Sequence, residues 1–189
     1  MIIRKLNKYL LSLVIGIVSL TLFAGMANAG DYGCYGSSYA ISDGLKSWSQ
    51  KIAAKQRFVV LKQFNCEAVL DKETQLVWEK SPSTDPMTWN DAVTYCYNLN
   101  LGGRGGFRLP TVEELRTLVD PNQTDPALPT GHPFVNVQST YYWSATTDAS
   151  GTDNALNVTF LYGTVLGYDK AFFSRNVWCV RGGHGYDAY

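Results

Sequence analysis

The stretch GGFRLPTVEELRTLVD, residues 105–120, joins an extended segment directly to a helix. A proline disfavours helical geometry in the residue before it, so the segment from Phe107 to Pro110 is predicted to be extended. Thr111 and Glu114 have the spacing of a capping box, in which two side chains satisfy backbone N–H groups at the start of a helix. The stretch therefore predicts an extended segment docked onto a short helix.

Arg108 lies at the centre of this junction. We expect its guanidinium group to form an ion pair with Glu114 or Asp120 and so to hold the extended segment against the helix. The helix should bury one face, which is made by Val112, Leu115, Leu118 and Val119. Four residues are thus interpreted as a structural junction: Arg108, Pro110, Thr111 and Glu114.

The residues before the junction predict strands and a first helix. RFVVLKQF, starting at Arg57, is rich in β-type residues and marks the start of the main domain. Residues 67–80 predict two short strands around a polar turn at residues 71–74. A helix from Thr88 to Leu99 follows, and Asp91 stands three residues after Thr88 in another capping-box spacing.

The residues after the junction predict further strands. Residues 120–140 hold four of the seven prolines and predict a long ordered loop. YYWSATT (141–147) predicts a strand, residues 155–169 a hairpin that turns at Tyr162-Gly163, and NVWCVRG (176–182) one closing strand. The order of elements predicts an α+β domain with two short helices packed on a twisted, mostly antiparallel sheet.

The first 29 residues have the pattern of a signal peptide. Arg4, Lys5 and Lys8 precede an apolar run, and Ala27-Asn28-Ala29 supplies the small-x-small cleavage pattern. A single transmembrane anchor is the alternative interpretation. We expect an exported protein, periplasmic, cell-surface or extracellular, with no membrane span after cleavage. The predicted organisation is a signal peptide (1–29), an appendage (30–56), the main domain (57–183) and a tail (184–189).

The charge balance argues against a nucleic-acid partner. The chain has 16 basic and 16 acidic residues, and removing the three basic residues of the leader leaves a net charge of −3. Nucleic-acid-binding domains usually show a basic excess on one face. The basic cluster of this chain consists of Lys46, Lys51, Lys55, Arg57 and Lys62.

Four cysteines follow the predicted cleavage point and suggest two disulfides in an oxidising compartment. Three pairings are possible from sequence alone. A Cys96–Cys179 bridge would join the first helix to the closing strand, and a Cys34–Cys66 bridge would tie the appendage to the main domain. Metal binding by these cysteines is not expected, because no zinc-site spacing occurs.

Five motifs occur in the order DKETQLVWEK, MTWNDAVTYCYNLN, GGFRLPTVEELRTLVD, YYWSATT and VWCVRGG. Together they resemble the Lcl C-terminal domain family, named for a domain of a bacterial collagen-like adhesin. The resemblance covers about residues 57–183 and implies a C-type-lectin-like fold with the domain ends brought together, in agreement with a Cys96–Cys179 bridge. Family members usually carry Gly at the position of Gln75 and Trp at that of Phe107.

The resemblance also bears on function. Many members are secreted or surface proteins, and the named adhesin binds sulfated polysaccharides. This chain is acidic and has no collagen-like stalk, so neither that ligand nor trimerisation is carried over. The oligomeric state stays open.

Catalytic patterns are weak in this sequence. A Ser/His/Asp device needs a histidine, and both histidines, His132 and His184, stand beside glycine or proline in predicted loops. Glu113 and Glu114 are explained by the helix dipole. We expect no enzyme and no cofactor; a secreted polysaccharide hydrolase is the alternative. A structural calcium ion is a second alternative, with the candidate ligands Asp120, Asp125, Asp148 and Asp153.

The connection between the strand at 141–147 and the hairpin is the predicted binding region, because loops on a rigid scaffold often carry recognition. The candidate binding residues are Trp143, Asp148, Asp153, Asn154, Tyr162 and Tyr168. The alternative for Trp143 is a place in the core. We expect a non-catalytic binding or adhesion module whose ligand is a glycan or a cell-envelope protein; a structural or pilus-associated protein-binding component is the remaining alternative.

Overall fold

A computed structural model of the chain describes Cys34 and residues 52–183. The predicted signal peptide, most of the predicted appendage and the tail at 184–189 lie outside the described residues. Within the described part, no helix has both the length and the apolar character that crossing a bilayer requires.

The described residues form two five-stranded sheets, and the fold is α+β as predicted. The first sheet has the order β1-β2-β3-β10-β5, formed by β1 (Phe58–Val60), β2 (Ala68–Asp71), β3 (Leu76–Glu79), β10 (Val180–Arg181) and β5 (Phe107–Arg108). The second has the order β4-β9-β6-β7-β8, formed by β4 (Ser83–Met87), β9 (Arg175–Val177), β6 (Tyr141–Thr147), β7 (Asn154–Thr159) and β8 (Val165–Asp169). The pairing of β6 with β9 is parallel and the other pairings are antiparallel.

The prediction of one sheet and one closing strand was wrong. NVWCVRG contributes β9 to the second sheet and β10 to the first, with Trp178 and Cys179 between them. Both residues are fully buried, and they belong to two different hydrophobic clusters. The chain therefore crosses from one sheet to the other inside the core, where an uninterrupted apolar run gives no sign of a break.

Two short helices pack against these sheets: α2 (Trp89–Asn98) and α3 (Val112–Thr117). A one-turn helix, α1 (Ala54–Arg57), and a short 3-10 helix (Lys62–Phe64) flank β1. Thr88 caps α2 by accepting the N–H of Asp91, but the Asp91 carboxylate binds the Thr88 hydroxyl and not its backbone. Asp91 is shorter than a glutamate by one methylene, so the capping box is incomplete there, whereas that of α3 is complete.

Two hydrophobic clusters make the core. One includes Trp78, Tyr142 and Trp178 and is completed by Leu115 and Leu118 at α3, as the helical periodicity predicted. The other lies beneath α2, where Ala92 and Cys96 meet residues of both sheets, including Trp143. The two helices thus seal different parts of the core.

Both disulfides favoured by the sequence positions are present, Cys34–Cys66 and Cys96–Cys179. Cys96 lies on α2 and Cys179 in the crossing between β9 and β10, and both are fully buried. The second bridge therefore joins the first long helix to the point where the two sheets exchange the chain.

Arg57 does not belong to a basic surface, which corrects the predicted basic cluster. Its side chain is 1% exposed, and its Nε and Nη2 donate to the two carboxylate oxygens of Asp71 at 2.8 and 2.6 Å. Nη2 also donates to the carbonyl of Thr117 at 2.9 Å, and Glu73 lies 3.6 Å from Nε. Because a buried guanidinium needs such partners, Arg57 ties α1 to β2 and to the end of α3.

Candidate binding surface

The Arg-Leu-Pro-Thr junction is a structural joint. Arg108 forms a bidentate ion pair with Glu114, with both N–O distances 2.7 Å, and donates a further bond to the carbonyl of Gly182. Asp120 is not its partner; it accepts the N–H of Asn122 instead. The Glu114 carboxylate also accepts the N–H of Thr111 at 2.9 Å. Arg108 and Glu114 therefore hold β5, α3 and the end of β10 together.

The predicted binding loop is a tight turn at residues 148–154. The Asp148 carboxylate accepts the N–H and the hydroxyl of Ser150, and these hydrogen bonds lower the pKa of Asp148. The backbone N–H of Asp148 donates to the carbonyl of Asn154, and the N–H of Asn154 donates to that of Gly151. Asp153 is exposed, and its carbonyl accepts the N–H of Lys170. Hydrogen bonds among its own residues thus hold the turn in place, and the bond from Lys170 places it next to the end of β8.

The prediction that Trp143 contacts ligand is corrected by its position. Its side chain is fully buried, and its Nε1 donates to the carbonyl of Met87 at 2.9 Å. Trp143 therefore has no ring face to offer a ligand and acts as core, the alternative stated for it. Tyr162 is exposed, but it lies in the β7–β8 turn, at the opposite end of β8 from Tyr168.

Tyr168 belongs to a cluster that we name the Arg175 face: Tyr141, Tyr168, Phe173 and Arg175. The Arg175 guanidinium carbon lies 4.2 Å from the ring centre of Tyr168, 4.9 Å from that of Phe173 and 5.0 Å from that of Tyr141. Tyr168 also packs edge-on against both other rings. A hydrogen bond with Tyr168 raises the pKa of the Tyr141 hydroxyl. Cation–π attraction therefore orients three rings around one cation.

Arg175 differs from Arg57 and Arg108 because no acidic side chain pairs with it among residues 52–183. Its Nη1 donates to the carbonyl of Ser174, whereas its Nε is buried and lacks a hydrogen-bond partner in the described part of the chain. A buried donor of this kind usually finds a partner in water or in a bound group. The Arg175 face thus holds an oriented cation with unused hydrogen-bonding capacity.

Lys170 links the turn at 148–154 to Trp89, the first residue of α2. Its Nζ lies 4.7 Å from the ring centre of Trp89 and donates to Thr147 Oγ1 and to the carbonyl of Thr152, both at 3.0 Å. Phe172, 86% exposed, follows two residues later. The loop after β8 therefore combines a fixed cation with an apolar ring in solvent.

Of this candidate surface, the sequence predicted Tyr168 and the neighbouring turn but not Tyr141, Phe173 or Arg175. These residues come from two strands and a loop, and the fold brings them together. The available signal was FFSR, residues 172–175, where two aromatic residues precede an arginine.

The buried carboxyl groups have structural partners. Asp71 and Glu73 form ion pairs with Arg57, and Glu114 forms one with Arg108. Glu79 is the last residue of β3. Tyr95 donates its hydroxyl to Glu79 Oε1 at 3.2 Å, and the N–H of Cys179 donates to Oε2 at 3.4 Å. Burial raises the pKa of Glu79 to about 7, although both hydrogen bonds oppose the change.

Glu79 predicts a pH dependence of stability. The folded protein holds the Glu79 proton more tightly than the unfolded chain, since the pKa rises from 4.5 to about 7. This stabilisation by the protonated Glu79 is complete below pH 4.5 and is lost as the pH rises through 7, and it amounts to about 3 kcal/mol. Glu79→Gln, which mimics the protonated acid, should remove this loss. Urea unfolding of both proteins at pH 5 and pH 8 checks it; an equal pH slope in the two would contradict it.

In the described part of the chain, the candidate calcium ligands do not form a metal site with other acidic, histidine or cysteine side chains. Among Cys34 and residues 52–183, no three His, Cys, Asp or Glu side chains are grouped so as to hold a metal ion. His132 stacks on Phe134 with ring centres 5.9 Å apart, and burial lowers its pKa. These contacts give His132 a packing role in the proline-rich loop.

Comparison with known proteins agrees with the ordered motifs. No curated protein matches the chain. The Lcl C-terminal domain matches residues 67–181, a segment that runs from the residue before β2 to the end of β10 and contains both the junction and the Arg175 face. The match covers more than half of the sequence, and the chain therefore belongs to the Lcl C-terminal domain family.

Proposed function

We propose that this chain is an exported, non-catalytic binding or adhesion module and that the Arg175 face is its ligand-binding surface. The observation that carries the proposal is the Arg175 guanidinium, which is held among three aromatic rings and has no acidic partner among residues 52–183. Binding sites typically combine aromatic surface with a few oriented polar groups. Two disulfides are consistent with an oxidising, extracytoplasmic compartment.

The proposed ligand is a glycan. The C–H face of a sugar ring can pack on an aromatic ring, while its hydroxyl groups accept hydrogen bonds from Arg175 or Lys170. A cell-envelope protein is the second candidate, favoured by Phe172, because an exposed ring of this size beside other apolar residues is typical of protein contacts.

We further propose that the architecture is a C-type-lectin-like variant. Support comes from the family resemblance, from two short helices on mostly antiparallel sheets, and from the bridge between α2 and the β9–β10 crossing. In this interpretation the buried carboxylates hold the scaffold, and the loops at 148–154 and 170–174 carry recognition.

A glycan array probed with the oxidised protein, residues 30–189, tests the proposal. We expect hits that survive at high salt, since stacking is screened less than interactions between exposed charges. Parallel arrays with and without calcium test the calcium alternative. Release of sugar products from any bound glycan would contradict a non-catalytic function.

Arg175→Ala should weaken binding to an array hit by about tenfold or more, because the variant removes the cation and frees the three rings. Arg175→Lys should recover only part of the affinity, since lysine keeps the charge but not the planar group. Tyr97→Ala is the matched control: Tyr97 is 76% exposed on α2 and lies outside the Arg175 face. Titration calorimetry measures all three, with circular dichroism to verify folding. Unchanged affinity in Arg175→Ala would contradict the proposed site.

A further inference from the structure

The four edges of the two sheets differ in how open they are. In the first sheet, the edge strand β1 has three residues, all buried, and the edge strand β5 has two. In the second, β4 contains Pro86 and a register shift, features that discourage further pairing. By contrast, β8 has five residues, keeps an unbroken register with β7 and contains no proline. Within the described residues, β8 is the long, regular and solvent-exposed edge.

The hydrogen bonds at both ends of β8 show which backbone groups face outward. Thr159 donates to the carbonyl of Thr164, and Lys170 donates to that of Asp153, each at 2.9 Å. In an antiparallel pair the residues bonded to the neighbouring strand alternate with residues that face away from it. Val165, Gly167 and Asp169 therefore face the free edge with their N–H and C=O groups, and the carbonyl of Asp169 also accepts the N–H of Phe173 at 3.4 Å.

We infer that β8 pairs in antiparallel fashion with β8 of a second copy of this chain, with the two-fold axis at Gly167. This register places Val165 opposite the partner subunit's Asp169 and Gly167 opposite its own copy. The outward-facing residues of one strand then meet those of the other, which the hydrogen-bond pattern requires. A register shifted by one residue would not match them.

Side chains fit the same register. Leu166, 45% exposed, comes to lie against the partner subunit's Tyr168, beside its half-exposed Phe173. Tyr162 and the partner subunit's Phe172, both well exposed, come to the same end of the pairing. The only acidic residue of β8, Asp169, faces a valine, so no like charges oppose each other. The exposed apolar residues around β8 thus complement their own copies.

The pairing has a consequence for binding. Leu166 and Tyr168 point to the same side, so the two sheets join into one and both Arg175 faces lie on that side. A dimer would therefore present two equivalent Arg175 faces, each bordered at Tyr168 by the partner subunit's Leu166, to a repeating polymer. Linked sites raise the overall affinity, a consequence that rests on the proposed function.

The solution test is sedimentation velocity of the oxidised protein over a concentration series. We expect a monomer–dimer equilibrium, and Leu166→Lys should raise the dissociation constant by about tenfold or more, because a lysine on an edge strand disfavours pairing. Tyr97→Lys is the control, since it adds the same charge at an exposed site on α2. A wild type that stays monomeric at all concentrations, or equal effects of both variants, would overturn the inference.

A cysteine pair tests the register itself. Leu166→Cys combined with Tyr168→Cys should form a covalent dimer under mild oxidation, because positions 166 and 168 of opposite strands form a close, non-hydrogen-bonded pair. Each single variant should remain uncrosslinked through these positions. Peptide mapping by mass spectrometry identifies the bridge; its absence in a protein that sediments as a dimer would overturn the β8 interface.

Discussion

Replacing Asp71 with alanine is expected to lower the free energy of unfolding by about 3–5 kcal/mol, because it leaves the buried Arg57 without its main partner. Asp71 supplies two charge-assisted hydrogen bonds to Arg57, at 2.6 and 2.8 Å, and accepts the N–H of Glu73 at 3.0 Å. Glu73 is too far from Nε, at 3.6 Å, to replace these bonds without a shift of the β2–β3 turn. Unfolding in guanidinium chloride, monitored by tryptophan fluorescence, measures this decrease in the free energy of unfolding.

The control is an ion pair of the same chemistry on the surface. Arg116 and Glu113 are 3.3 Å apart on α3, with both side chains more than half exposed. Glu113→Ala should cost less than about 1 kcal/mol, since water screens such pairs. Similar losses for Asp71→Ala and Glu113→Ala would contradict the account of Arg57 as an anchor between α1, β2 and α3.

Removing the Cys96–Cys179 bridge, by replacing both cysteines with alanine, is expected to cost about 4–5 kcal/mol. The bridge closes a loop with a sequence separation of 83 residues, and a long loop restricts the unfolded chain strongly. Alanine is smaller than cysteine, so the substitutions cause no clash between α2 and the crossing from β9 to β10. Urea unfolding under non-reducing conditions gives the difference from the wild type.

The second bridge provides a graded comparison. Cys34–Cys66 spans a separation of 32 residues, so its removal should cost less, about 3–4 kcal/mol. Similar midpoints for the wild type and the Cys96/Cys179 variant, or a larger loss in the Cys34/Cys66 variant, would show that loop entropy does not dominate.

Local chemistry explains why several elements could be predicted from sequence. The Thr111–Glu114 box and the Thr88 cap mark where two helices begin, because a capping side chain acts on N–H groups within three residues. The β7–β8 hairpin was marked by Gly163, whose φ of +74° and contact with Val119 leave no room for a side chain. Such signals depend on neighbours in the chain.

The predictions from sequence were wrong where contacts between residues distant in sequence determine the structure. The division of NVWCVRG into β9 and β10 follows from burial of Trp178 and Cys179 in different clusters. β4 was not predicted, because Pro86 is unfavourable in a strand and is accommodated here at a sheet edge. Arg57 was assigned to a basic surface since the sequence does not show that Asp71 lies beside it.

The backbone at Gln75 explains why family members usually carry glycine at this position. Gln75 has a φ of +61°, a conformation that suits glycine, and its side chain donates to the carbonyl of Lys72. The glycine usual in the family thus corresponds to the shape of the β2–β3 turn. In the same way, the Arg175 face could not be predicted in full, because Tyr141 and Tyr168 belong to strands that are not neighbours in sequence.

Hydrogen–deuterium exchange of the oxidised protein, with and without a glycan from the array, shows which surface the ligand covers. We expect bound glycan to slow exchange in residues 166–176 and at the start of β6, where the Arg175 face lies. Exchange in α2, which carries the exposed Tyr97, should not change. Protection confined to α2 or to the Arg108 junction, with none around Arg175, would contradict the assignment of this face as the binding surface.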